Sequence, residues 1–409
     1  MPKSQQQKAS AIWVARVVPV ILLAIVGYAS WVITKLLCVD YLLNPPREDN
    51  LQQQNGAAIA VLVTYYTLLL VMVLAYGGLL HIVARRPGLV PRGPVFHHSD
   101  DDRSQDSRKE KAPEPKEITY LAKEALSWNV EEFWRRDVFV CNPDGRPAYC
   151  SSCKNFKPDR AHHCSELNRC VLKMDHFCPW VGGIVSETSF KSFIQFTFYA
   201  ALLCTHVLIT ISYFFSQRQR LTGYMDPYWI VLIAVAGLFW LFSFGMFIST
   251  SHFAITNITT IENLQRRTKI WYLACYVTPA QVQEANTKGL QLNMISYPRP
   301  SEEQLEGSKQ NWWKASSSSN TSSTSTPASV PTVHRVFAIL QSEPGQNPFD
   351  LGHLRNWQEV MGETIWAWFS MSESPTTRHG EFSMYKLGPV FKEMKKKTGL
   401  DRTGWTKRH

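Results

Sequence analysis

Four apolar runs, at residues 17–37, 57–83, 193–215 and 228–255, constrain this chain more than any other feature. A hydrocarbon core is crossed by about 20 helical residues, and each run is long enough to do so. The run 57–83 carries no Asp, Glu, Lys or Arg, which a helix buried in a soluble protein seldom requires. The first run is too long for the apolar core of a signal peptide, and no small-residue cleavage site follows it. The expected fold is therefore all-α and membrane-embedded, with four transmembrane helices.

Charge sets the expected orientation. The segment between the first two runs holds Arg47 against Asp40, Glu48 and Asp49, whereas Lys3, Lys8 and Arg16 precede the first run. Arg85 and Arg86 close the second run, and Arg266, Arg267 and Lys269 follow the fourth. Positive residues mark the cytosolic side, so both termini and the long segment between the second and third runs are expected there. Arg218 and Arg220, between the third and fourth runs, oppose this but are outnumbered. Most of the net charge of +10 is accounted for by this topology signal, and the rest suits a protein lying on anionic lipid.

The remaining sequence divides by composition. Residues 1–16 form a cytosolic N-terminus, 17–85 the first two helices, and 86–140 a linker whose charged, Ser- and Pro-rich part (96–117) reads as disordered. Residues 118–137 have the apolar spacing of a helix. A cysteine-rich domain, 141–192, lies between helices 2 and 3, the last two helices occupy 193–255, and residues 256–409 form a cytosolic C-terminal region with a Ser/Thr linker at 315–332.

Six of the nine cysteines and three histidines fall within residues 141–178. On a reducing cytosolic face such a cluster favours metal binding or catalysis over disulfides. The order is Cys150-x2-Cys153, then His162-His163-Cys164, Cys170, and Asp175-His176-Phe177-Cys178. A Cys-x2-Cys knuckle followed by one His and one more Cys can close a tetrahedral zinc site. Without His176 and Cys178, seven Cys and His side chains remain, which cannot fill two closed four-ligand sites; one zinc ion is the economical expectation.

The stretch YCSSCKNFKPDRAHHC…RCVLKMDHFCPW resembles the cysteine-rich domain of the DHHC family of protein S-acyltransferases (palmitoyltransferases). The resemblance extends to the four helices, to Pro87-Gly88 where the family has Asp-Pro-Gly, and to Thr259-Thr260-Ile261-Glu262, which matches Thr-Thr-x-Glu. It includes an aromatic/Asn element, Asn347-Pro-Phe-Asp-Leu-Gly…Asn356-Trp357, and DHFCPWVGG with SETSF looks closest to the fungal branch. What the resemblance implies is a ping-pong acyl transfer from acyl-CoA to protein cysteines. Cys178 would be the nucleophile and carry the acyl group, His176 the base, and Asp175 the residue that orients His176. Thr259, Thr260, Glu262 and Asn356 would support the site, and Lys154, Lys157, Arg160, Arg169 and Lys173 would face CoA phosphates. The implied partners are the bilayer, acyl-CoA and membrane-associated proteins with cytosolic cysteines; no nucleic-acid partner is expected.

Family members hold two zinc ions, each on three Cys and one His. The first set is complete here as Cys150, Cys153, His163 and Cys170, but of the second only Cys164 survives. Leu167, Phe177 and Ile184 occupy the other three positions, so an apolar cluster of these three with Cys164 is expected to replace the second ion. Cys38, Cys141, Cys204 and Cys275 read as structural, and His162 as a solvated neighbour of His163. The competing function is a catalytically inactive zinc-binding membrane scaffold derived from such an enzyme. Retention of Asp175, His176 and Cys178 beside lost metal ligands argues against it.

Overall fold

A computed structural model describes residues 3–45, 52–92, 130–297 and 334–400. Four long apolar helices dominate it: α1 (Lys3–Trp31, continued as a wider π-helical stretch over Val32–Leu43), α2 (Asn55–Arg85), α3 (Phe190–Thr222) and α4 (Pro227–Thr256). A helix satisfies its backbone N–H and C=O groups within itself, the condition for a lone segment to cross lipid. The ends are marked in the sequence. Asp226 caps α4 by accepting the Tyr228 N–H at 2.9 Å, and Gly223 and Asn257 end α3 and α4 in the left-handed conformation. The helices pack around Ile33, Tyr41, Tyr65, Ile211 and Trp229, while Leu70, Val73, Leu74, Leu238 and Leu241 face outward, as lipid-facing surface should. Arg218, which runs against the charge rule, is neutralised locally by Asp226 at 3.3 Å and lies over the rings of Tyr41, Tyr224 and Trp229.

Beyond α2 the chain runs beside the cysteine-rich domain. Val90 N–H donates to Cys170 O (2.9 Å), and Leu172 N–H to Gly88 O (2.8 Å). After β1 (Val138–Cys141) the domain is built from three short hairpins: β2 (Tyr149–Cys150) with β3 (Asn155–Phe156), β4 (His162–Cys164) with β5 (Arg169–Val171), and β6 (His176–Cys178) with β7 (Gly183–Val185). The last hairpin rests directly on α2: a Cβ at Gly183 would overlap the Val83 side chain, so only glycine permits this approach.

Sequence patterning did not foresee a four-stranded antiparallel sheet in order β1-β8-β10-β9, where β8 is Tyr272–Val277, β9 Met294–Tyr297 and β10 Arg335–Gln341. It joins the domain's first strand to the C-terminal region. Val138, Leu273, Cys275, Ala338 and Leu340 pack on Phe391 and Met394 of the helix Pro389–Lys397, and Phe139, Ala274 and Phe337 pack on Phe133 and Tyr297. The expected disordered segment 96–117 and linker 315–332 lie outside the described residues. So does most of the expected helix 118–137, whose described end is a short 3-10 helix, Val130–Arg135.

Candidate active site and metal centre

Strand alternation sorts the cluster. In the β4–β5 hairpin His163 stands opposite Cys170, so both point to one face, while His162 and Cys164 point to the other. The turn between β2 and β3 brings Cys150 and Cys153 to that first face. The four ligand atoms of Cys150, Cys153, His163 and Cys170 lie within 4.8 Å of one another. The sulfurs stand 3.5, 3.4 and 4.0 Å from His163 Nδ1. Tetrahedral Zn–S and Zn–N bonds imply S···N separations of about 3.6 Å, so the donor set fits such an ion. No other group of three or more metal-capable side chains meets among the described residues. His162 is not the solvated neighbour expected: it is half-buried, and burial pushes its ring down to about 4.

Where a second ion would lie there is an apolar cluster, with one correction. Cys164 and Ile184 are buried with Leu89, Val171 and Met174, and Phe177 and Ile261 pack against them, but Leu167 is 42% exposed and stays outside. It sits in the loop turning β4 into β5, where the chain points it to solvent; Leu89 and Val171 supply the missing volume.

The β6–β7 hairpin carries His176 and Cys178. Register pairs His176 with Val185, Phe177 with Ile184 and Cys178 with Gly183. His176 and Cys178 therefore share a face, and Phe177 turns to the opposite one, into the apolar cluster. Cys178 is buried among Leu79, Val83, Val181, Val185 and Phe193, at the junction of the domain with α2 and α3. Asp175 is buried and two-handed: Oδ2 is 2.8 Å from His176 Nδ1, and Oδ1 accepts the Thr260 N–H at 2.8 Å. The Thr260 hydroxyl donates to the Asp175 carbonyl as well. Burial opposes a charged imidazole, but hydrogen bonds to Asp175 and Cys178 outweigh it and raise His176 to about 9.

Behind Asp175, Thr259 and Glu262 close a capping box. Glu262 also receives Arg160, whose Nε and Nη2 reach its two oxygens at 2.8 and 2.5 Å. Arg160 is thus not a phosphate ligand. Its guanidinium is wholly buried, and its remaining bonds go to the Asn257 side chain and carbonyl, both at 2.9 Å. Lys173 is likewise turned inward, donating to Asn257 Oδ1 at 3.0 Å beneath the Tyr385 ring, and burial beside Arg160 depresses it to about 7. Lys154, Lys157 and Arg169 are half-buried on the hairpins, and Arg169 donates to Val90 O (3.0 Å). Asn356 is fully buried and ties the C-terminal region to the end of α4, donating to Ile255 O (2.7 Å) and Asp350 Oδ1 (2.6 Å).

Asn257, Glu187 and Tyr385 were missed. Asn257 binds Arg160, Lys173 and, through Nδ2, Phe349 O at 2.7 Å; the one signal for it is an Asn directly after a long apolar helix, where the left-handed cap belongs. Glu187 accepts from the Tyr385 hydroxyl at 2.5 Å and pairs with His379 at 3.0 Å, contacts across nearly 200 residues that no local pattern announces.

Comparison with known proteins agrees with this arrangement. The sequence model of the DHHC palmitoyltransferase family matches residues 144–267. Palmitoyltransferase pfa5 of Aspergillus fumigatus is 38% identical over 431 aligned positions, covering 98% of this chain and 93% of that protein. Palmitoyltransferase pfa5 of Emericella nidulans is 38% identical over 95% of this chain and 86% of its own length. Palmitoyltransferase ZDHHC3 of Homo sapiens is 37% identical over 131 positions, 30% of this chain.

Proposed function

The chain belongs to the DHHC palmitoyltransferase family, and from that premise we propose how its own residues carry out protein S-acylation. It is an integral membrane protein S-palmitoyltransferase. Cys178 is the nucleophile and His176 its proton partner. At neutral pH an imidazole raised to about 9 holds a proton, the form that pairs with a thiolate. The Cys178 thiolate attacks the thioester carbon of acyl-CoA; the bond to CoA sulfur breaks, and His176 returns the proton to the departing CoA thiolate. In the second half-reaction His176 takes the proton of an acceptor cysteine, whose sulfur attacks the acyl-Cys178 thioester and restores the Cys178 thiolate. Asp175 holds the imidazole by Nδ1, leaving Nε2 toward the reacting sulfur, and Thr260 holds Asp175.

Cys150, Cys153, His163 and Cys170 hold one structural zinc ion that fixes the hairpins. Arg160 and Lys173 are turned to internal contacts, so the residues placed toward CoA phosphates are Lys154, Lys157 and Arg169 on the hairpins. The end of the bundle bearing the domain faces the cytosol, with both termini. Because Cys178 sits against α2 and α3, acceptors are membrane-associated proteins with cysteines close to the bilayer. The observation that carries this reading is the Thr260–Asp175–His176 chain converging on Cys178; the inactive scaffold has no observation in its favour. Purified protein incubated with labelled acyl-CoA should acquire a hydroxylamine-sensitive label, and Cys178→Ser should lose it. Undiminished labelling of that variant would refute the assignment.

A further inference from the structure

Within residues 364–372, around the short helix Ile365–Phe369, four large apolar side chains are exposed: Ile365 (63%), Trp366 (86%), Phe369 (54%) and Met371 (52%). Yet the segment is pinned along the membrane helices. The Met371 sulfur lies 3.4 Å from where a Cβ on Gly78 would stand, Gln195 Nε2 donates to Trp368 O (2.9 Å) and Ser370 O (2.8 Å), and Trp368 packs against the cluster of Ile194, Ala254, Val360 and Met361. Gly78 is seven residues before Arg85 and Gln195 five after Phe190. At 1.5 Å per residue these lie roughly 8–11 Å inward from the helix ends.

We propose that residues 364–372 form a re-entrant element that enters the cytosol-side leaflet, with Ile365, Trp366, Phe369 and Met371 among phospholipid chains and headgroup boundary. Two independent observations support lipid as the occupant. The exposed face continues the outward surface of α2, where Val73 and Leu74 are themselves exposed beside Gly78. Backbone inside a bilayer must also have its polar groups satisfied by protein, and several of those in this segment are. Gln195 serves two carbonyls, Thr364 caps the Ala367 N–H at 3.2 Å, Trp368 Nε1 donates to Gly362 O at 2.9 Å, and Lys191 reaches the Ser372 hydroxyl at 2.9 Å. An indole at such a boundary has its usual membrane position. This also accounts for Lys191 and Gln195, two buried polar residues in the first turns of an apolar helix: they fasten the element.

Photo-crosslinking tests this independently of acyl transfer. The full chain, with p-benzoylphenylalanine in place of Trp366, is reconstituted in nanodiscs containing tritiated phosphatidylcholine and irradiated. Leu238, which faces outward on α4, is the positive comparator, and Tyr149 on the β2–β3 hairpin the negative one. Crosslinking to lipid at position 366 should approach that at 238 and exceed that at 149 at least about tenfold. A yield at the level of position 149, or a crosslink to a second copy of the chain instead of lipid, overturns the proposal. Should the Trp366 variant lose its zinc and elute as aggregate, the probe at Phe369 carries the same two outcomes.

Discussion

Replacing Arg160 by Met should destabilise the protein by about 3–5 kcal/mol, the usual consequence of stranding one half of a buried ion pair. The side chains of Arg160 and Glu262 are 0% and 3% exposed, so no solvent screening reduces that figure. Burial alone would raise the Glu262 carboxyl; the Arg160 charge and hydrogen bonds hold it well below its ordinary range instead. Its contribution is therefore complete at neutral pH and is lost only as acid protonates it, beneath the unfolded value of 4.5. Without Arg160, Glu262 must stay charged and unpaired or take up a proton, and either loosens the Thr259–Glu262 turn that presents Thr260 to Asp175. The double variant Arg160→Met with Glu262→Gln removes both charges while keeping an oxygen for the Thr259 N–H. It should recover at least about 2 kcal/mol over the single variant, since paired removal of a buried ion pair is often close to neutral. Denaturant unfolding of detergent-solubilised protein at pH 7, followed by zinc release, measures both. If the single variant stays within about 1 kcal/mol of wild type, or the double is no better than the single, the pair is not what holds the turn.

Elemental analysis should find one zinc per chain, abolished by Cys153→Ala and unchanged by Cys164→Ala; two equivalents would refute replacement of the second ion by the Leu89–Phe177–Ile184 cluster. His176→Ala should slow self-acylation by about 10²–10⁴-fold in single-turnover labelling, the usual span of general acid–base help, and near-normal rates would remove His176 from the mechanism. A His raised in the folded state stabilises below its unfolded value of 6.5 and loses that contribution as pH rises through about 9. The stability gap between wild type and His176→Ala should accordingly shrink between pH 6.5 and 9 in thermal unfolding, and a gap that widens over that interval would contradict the assigned pairing.

The bundle and the metal-capable cluster were legible because both depend on local signals. Apolar length announces a spanning helix, and the spacing of Cys and His picks out the four side chains that the hairpins bring together. Leu167 was misplaced because a position matched to a lost ligand in the family does not say which way a loop residue turns once the ligand is gone. Arg160 was misread for a deeper reason: an arginine in a basic stretch looks like a surface cation, and only its distant partners, Glu262 and Asn257, reveal it as an interior strut. The sheet was invisible for the same reason. Its strands are four to seven residues long, and β1 lies well over a hundred residues before β8, with no hairpin turn to betray their pairing.

Strand β10 lies between β8 and β9, Asn347 reaches back to the Asn257 carbonyl at 3.1 Å, and Tyr385 to Glu187. A ribosome delivers these pieces last. When residue 178 has been made, Cys178 and His176 are both present, but Thr260 has not been made, and the partners of Asn257 in the C-terminal region come later still. The contacts that seat Asp175 and the end of α4 can therefore close only once those later residues have been synthesised. A message cut short between residue 178 and Tyr385 yields a chain that carries Cys178 without the full set of contacts that hold this end of the bundle.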